Sequence, residues 1–135
     1  MNKKQVNDWI KPAKEAIVEC GIAANGKVDS SFRGQISSFG AAVVMGSLKS
    51  AVAFFANNGS AQVERSKLIK AIYYIISNGE KKEPKDIFEF ICKNDNRQTK
   101  EQFINASIAI KLALNFFDLG KGESANEIQE EGGED

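Results

Sequence analysis

The chain contains no histidine. That removes imidazole acid–base chemistry, every Ser-His or Cys-His nucleophile pair and most zinc sites. Cysteine is almost as scarce: Cys20 and Cys92 are the only two, each inside a helical pattern, with no C-x-x-C. Reduced, buried thiols in a cytoplasmic protein are the expectation. No uninterrupted apolar run reaches the roughly 18–20 residues that span a bilayer, so no membrane partner is expected. The opening MNKKQVNDWIKP has two lysines but is followed by no apolar core or small-residue cleavage site, which argues against a secretory signal. No G-x-x-x-x-G-K-[ST] loop is present, and Asp95-Asn96 lacks EF-hand spacing. Acids of the body sit beside bases, as in Glu64-Arg65 and Glu80-Lys81-Lys82-Glu83, the pattern of solvated faces. No catalytic set, cofactor, metal or small-molecule substrate is expected.

Charge is balanced in total and unbalanced in place. From Glu123 onward there are six acids and no base, so residues 1–122 hold all 18 bases against 12 acids, a net +6. A basic body with an acidic, glycine-containing tail suits a surface that meets a polyanion, with the tail as competitor or solubiliser. A solvated domain with no polyanion partner fits the same balance.

Helical periodicity accounts for most of the 135 residues, enough for one domain. Val6, Ile10, Ala13, Ile17 and Cys20 place a first helix over 4–24, with Gly21 and Gly26 as stop signals. Pro12 requires that this helix start near Lys11 or kink there. Trp9 reads as a hydrophobic anchor. The run 32–56 predicts a single long central helix, N-capped among Asp29, Ser30 and Ser31 and ending near Asn57-Asn58-Gly59. Its stripe is Ile36, Phe39, Val43, Leu48, Val52 and Phe55. Gly34, Gly40 and Gly46 each cost this helix about 1 kcal/mol relative to alanine, which close approach of a partner helix would offset.

A third helix is expected over 61–77, closed by Asn78-Gly79. A shorter helix opens with Pro84 in its first turn and ends at Asn94-Asp95-Asn96. Thr99 and Gln102 form a capping-box pair before a last helix that ends at Gly120-Lys121-Gly122. Residues 123–135 should be disordered. The fold class is therefore all-α, a compact bundle of about five helices over 1–122 with an acidic tail over 123–135.

Isolated bases are the remaining candidates for chemistry. Lys49 lies in an apolar and small-residue run, and Lys111 sits between Ile110 and Leu112. Lys67 and Lys70 are i,i+3 neighbours on one helix face, and Arg33 stands at the start of the long helix. Small residues beside a base, as in Ser47-Lys49-Ser50, let a phosphate approach the helix. Such contacts hold a nucleic-acid backbone without reading bases. Taken singly, each lysine also fits the wet edge of an amphipathic helix.

The run FRGQISSFGAAVVMGSLKSAVAFF, residues 32–55, resembles the central helix of the small subunit of the Cmr effector complex, the RNA-guided type III-B CRISPR machine. Phe32 and Arg33 match that family's aromatic and base, and Gly46, Leu48, Ala53 and Phe54 match its later part. Phe39-Gly40 stands where Leu-Pro is usual, and Ser47 is inserted after Gly46. QVNDWIKPAKEAI looks like the family's first helix. ALNFFDLGKGE looks like its last, with Phe116, Phe117 and Asp118 where a Trp and a basic pair are usual. The resemblance implies a non-catalytic, all-helical antiviral subunit. Copies of it would stack beside the other Cmr subunits and line the channel where target RNA pairs with crRNA. Arg33, Lys49, Lys67, Lys70 and Lys111 are then candidate RNA-backbone contacts, acting by counterion release. The other class left open is a helical protein–protein adaptor with no nucleic-acid role.

Overall fold

A computed structural model of the chain describes residues 1–57 and 64–120. Among the described residues are six α-helices: α1 (Lys3–Glu19), α2 (Ser31–Met45), α3 (Leu48–Phe55), α4 (Ser66–Ile76), α5 (Pro84–Lys93) and α6 (Arg97–Ala113). Strands β1 (Ala23–Ala24) and β2 (Lys27–Asp29) lie between α1 and α2. A 3-10 turn at Leu114–Phe116 and strand β3 (Asp118–Gly120) follow α6. The all-helical bundle is as expected. Its single long central helix is not.

The run 32–56 breaks at Gly46-Ser47. Ser47 adopts an extended backbone and its Oγ accepts the Ser50 N–H at 3.1 Å, an N-cap that starts a new helix inside the apolar run. Gly46 closes α2 at φ −119°, ψ −113°, where a Cβ would lie 3.0 Å from the Ala42 carbonyl oxygen. The stripe itself holds: Ile36, Phe39, Val43, Leu48, Val52 and Phe55 are all buried. In one straight helix the five-residue step from Val43 to Leu48 would turn these two halves to different faces. The break returns both halves to one core, and it makes six helices of the five expected.

No partner helix crowds the other two glycines. A Cβ on Gly34 would meet nothing within 4 Å, and one on Gly40 would meet only Ser107 Oγ at 3.8 Å, an ordinary contact. Their helix cost stands without compensation among the described residues. Gly34→Ala should therefore raise stability by about 0.5–1 kcal/mol, read as a higher urea midpoint at unchanged slope.

The helix at the centre is α6, which packs against α1, α2 and α4. Its buried set includes Phe103, Ala106, Ala109, Ile110 and Ala113, so small residues let the neighbours close in. Asn105 is fully buried there. Its Oδ1 accepts the Asn2 N–H at 3.3 Å and its Nδ2 donates to Gln5 Oε1 at 2.7 Å. The N-terminal ammonium meets Glu101 at 3.1 Å, and Lys14 lies 4.7 Å over the Phe116 ring. These contacts rise together along both helices, so α1 and α6 run parallel.

The helix ends differ from expectation in ways local chemistry explains. Pro12 lies inside α1, which runs on through it. The carbonyl that loses its partner belongs to exposed Asp8, where water can take over. The helix stops at Glu19, not 24, with Gly21 at φ +80°. Gly26 is no helix stop: Asn25 and Gly26, at φ 55° and 77°, form the tight turn of the β1–β2 hairpin. The capping-box pair is replaced by Asn96, whose Oδ1 accepts the Thr99 N–H at 2.9 Å. α6 ends at Ala113, so β3 occupies the positions assigned to the last helix's final turn. Of the third helix, residues 61–63 lie outside the described residues, and so do Asn58-Gly59 and the tail from 123.

The small sheet joins distant parts of the chain. β2 pairs antiparallel with β1 and parallel with β3, in register Lys27↔Asp118, Val28↔Leu119 and Asp29↔Gly120. The Asp118 N–H donates to Gly26 O at 2.9 Å, and the Ser30 N–H donates to Gly120 O. The end of β3 thus lies against the start of α2, and α2 runs antiparallel to α6. Trp9 is partly buried against the core, as an anchor should be. Cys92, by contrast, is exposed on α5, and both cysteines are free.

Candidate nucleic-acid interface

The five cations singled out in the sequence divide into two groups. Lys49 Nζ lies 3.1 Å from Asp95, tying the start of α3 to the α5–α6 connection. Lys70 Nζ lies 3.4 Å from Glu83, across the loop before α5. Lys67 Nζ donates to the Gly21 carbonyl at 3.0 Å and sits 3.7 Å from Glu64. Each of these three has a partner within the fold.

Lys67 also belongs to a cationic cluster around the C-terminal end of α1. Lys81 Nζ meets Glu19 at 2.9 Å, and both Lys70 and Lys81 act electrostatically on Cys20. α1 has no base in its own last turn. Cations from α4 and the following loop supply the positive charge that the negative end of a helix favours. α3 is treated alike. Arg65 donates to Asn57 O at 2.8 Å and Phe54 O at 3.1 Å, with its guanidinium 4.2 Å from the Phe54 ring centroid. In the chain Arg65 stands beside Glu64 and reads as half of a neutralised pair. The carbonyls it serves are fixed only when α3 ends where it does.

Arg33 and Lys111 form the second group. Both are exposed, and neither has an acidic partner among the described residues. Arg33 lies in the first turn of α2 and Lys111 in the last turn of α6. Antiparallel packing sets them at the same end of the α2–α6 seam.

A groove of about 440 Å³ runs along that seam, between Ser37, Gly40 and Val44 of α2 and Ile104, Ile108 and Lys111 of α6. Its far end is open and apolar: Val44 is 62% exposed and Met45 86%. These two residues lie off the buried stripe 36, 39, 43. That offset was the sequence signal for a second apolar face, and the assumption of one long helix hid it. The surface can therefore do two things at once. It can hold anionic groups at the Arg33–Lys111 end and cover aliphatic surface along the rest.

Among the described residues no three or more Cys, Asp or Glu side chains are grouped to hold a metal ion, and no helix is long and apolar enough to cross a membrane. Comparison with known protein families, with curated proteins and with solved structures returned no match.

Proposed function

We propose that this chain is a non-catalytic structural subunit of a cytoplasmic type III-B CRISPR (Cmr) ribonucleoprotein complex. In this reading copies stack beside the other subunits, line the channel of crRNA and target RNA, and contact RNA backbone in antiviral defence. The observation that carries the RNA contact is the pair of exposed cations, Arg33 and Lys111, without acidic partners among the described residues of a body with net positive charge. The subunit class rests on the sequence resemblance of residues 32–55, 5–17 and 113–123, although Leu114–Phe116 form a 3-10 turn and Asp118–Gly120 a strand where the resemblance implies a last helix. A mostly helical bundle with a small sheet is compatible with it.

Arg33 and Lys111 are the first contacts in this proposal because, among the described residues, they have no side-chain partner to give up. Lys49, Lys67 and Lys70 would exchange a partner for phosphate. Exposed ion pairs are worth only about 0–1 kcal/mol, so that exchange costs little. The test is fluorescence anisotropy of single-stranded RNA over a salt series, with the subunit alone and in the reconstituted complex. Affinity should fall as salt rises. Arg33→Glu with Lys111→Glu should lower the salt slope by about 1.4, at about 0.7 per lost single-strand phosphate contact. Lys49→Glu with Lys70→Glu should have a smaller effect. Binding indifferent to salt, or untouched by both double variants, removes the RNA role.

The exposure of Val44 and Met45 favours a second reading, a helical protein–protein adaptor with no nucleic-acid role. A stoichiometric protein partner purified with no RNA, judged by the ratio of absorbance at the nucleic-acid and protein maxima, would select it.

A further inference from the structure

We infer that the α2–α6 groove is the docking site for an amphipathic helix of a partner protein, one that carries a carboxylate at each end of a short aliphatic stripe. This occupant requires no RNA contact, and where the adaptor reading holds it is the partner that reading calls for.

The walls of the groove decide that the occupant is helical. They are side chains of two regular helices, whose backbone groups are spent within α2 and α6. An extended segment laid there would find no ladder for its own N–H and C=O groups. A helix satisfies its backbone internally and presents side chains alone. The floor suits one. Ser37, Gly40 and Ala41 of α2 and Ser107 of α6 are small, and a Cβ on Gly40 would meet only Ser107 Oγ. Another helix can approach closely there, which gives the uncompensated glycine of the seam a use. The rest of the lining is aliphatic: Ile104 and Ile108 are half-buried, and Val44 and Met45 are exposed. Phosphate would leave that surface wet, whereas an aliphatic stripe removes it from water.

Charge fixes the two ends. Lys100, Ile104, Ile108 and Lys111 share one face of α6, and the two lysines stand about 16 Å apart along its axis. Neither has an acidic partner among the described residues. Gly40 faces Ser107 and the helices are antiparallel, so Met45 falls level with the turn that Lys100 opens. Arg33 adds a second cation at the Lys111 end. The order along the groove is cation, aliphatic surface, cation. Its complement is a helix with an acid, two aliphatic residues and an acid at steps of about four, three and four positions.

The probe is a short blocked peptide with glutamates and leucines at those steps and alanine elsewhere. The chain has two methionines, Met1 and Met45, so ¹³C-methyl methionine spectra of the full-length protein show two side-chain signals, and Met45→Leu assigns them. The Met45 signal should move saturably as the peptide is added. Exchanging the peptide's glutamates for lysines should weaken binding about tenfold. Val44→Ser should weaken it about tenfold as well, yet leave the salt slope of RNA binding unchanged because no cation is lost. A failure here is therefore distinct from a failure of the RNA reading. A Met45 signal that ignores the peptide overturns the proposal, and so does equal binding of the lysine peptide. A signal that moves on diluting the protein alone assigns the groove to a second copy. One that moves with single-stranded RNA but not with the peptide assigns it to nucleic acid, and either result is equally fatal.

Discussion

Phe39→Ala should destabilise the fold by about 3–5 kcal/mol, a large part of the 5–15 kcal/mol that holds a domain together. Phe39 is fully buried on α2, and its ring meets that of Phe55 on α3 edge to face, centroids 5.4 Å apart at 82°. The two helices are joined through Gly46 and Ser47 alone. The aromatic pair therefore fixes their angle from within the core. Truncation removes the transfer energy of a phenyl ring, leaves a cavity between two helices that cannot simply slide together, and forfeits about 0.5–1.5 kcal/mol of ring–ring attraction. The midpoint of thermal unfolding should fall by roughly 10–20 °C. Urea unfolding of Phe39→Ala, Phe55→Ala and the double variant gives the coupling directly. If α2 and α3 depend on one another as described, the double loss is smaller than the sum of the single losses. A loss below about 1 kcal/mol for Phe39→Ala would mean the helices hold their angle without this contact.

What the sequence revealed of the fold follows from the range over which each signal acts. The stripe Ile36, Phe39, Val43, Leu48, Val52 and Phe55 could be read because burial at period 3.6 is a local pattern, and all six positions are buried. The break within it was also legible: a five-residue step from Val43 to Leu48, flanked by Gly46 and the capping residue Ser47. Apolar content alone points to one helix, whereas the phase of the apolar positions points to two. The Asn25-Gly26 turn was likewise in plain view as a hairpin signal. β3 was not, since its pairing with β2 joins residues about ninety apart and leaves no mark in either short strand.

The candidate site shows the same limit more sharply. Nothing near Lys67 in the chain announces that its ammonium will reach the Gly21 carbonyl, nor near Lys49 that Asp95 will meet it. Which cation is attached and which is free depends on where helix ends fall in space. Arg33 and Lys111 stand apart from acids along the chain, but only the parallel β2–β3 pairing brings them to one end of one groove.

Cys20 should alkylate about tenfold more slowly than an ordinary exposed thiol at pH 8, while Cys92, exposed on α5, reacts first. Burial against the α1–α4 packing is the main cause. It pushes the Cys20 thiol up to about 11, and the positive charges of Lys81 and Lys70 offset this only in part. At pH 8 the thiolate fraction is then roughly 100-fold below that of a thiol at the unshifted value of 9.0. A more basic thiolate is intrinsically more nucleophilic, which returns about tenfold and leaves the net ratio given. Mass spectrometry of iodoacetamide-treated protein over time resolves the two sites. The same shift sets the sign of an alkaline effect on stability. The folded state keeps the Cys20 proton where the unfolded chain releases it, so the unfolded state binds fewer protons and stability falls with rising pH. The contribution is intact below the ordinary thiol range and is lost as pH climbs to about 11. In Cys20→Ala that part of the alkaline decline should disappear from urea midpoints measured between pH 8 and pH 11. Equal alkylation of Cys20 and Cys92 at pH 8 would show that the α1 C-terminal end is open to water, and that the lysine cluster around it does not hold it closed.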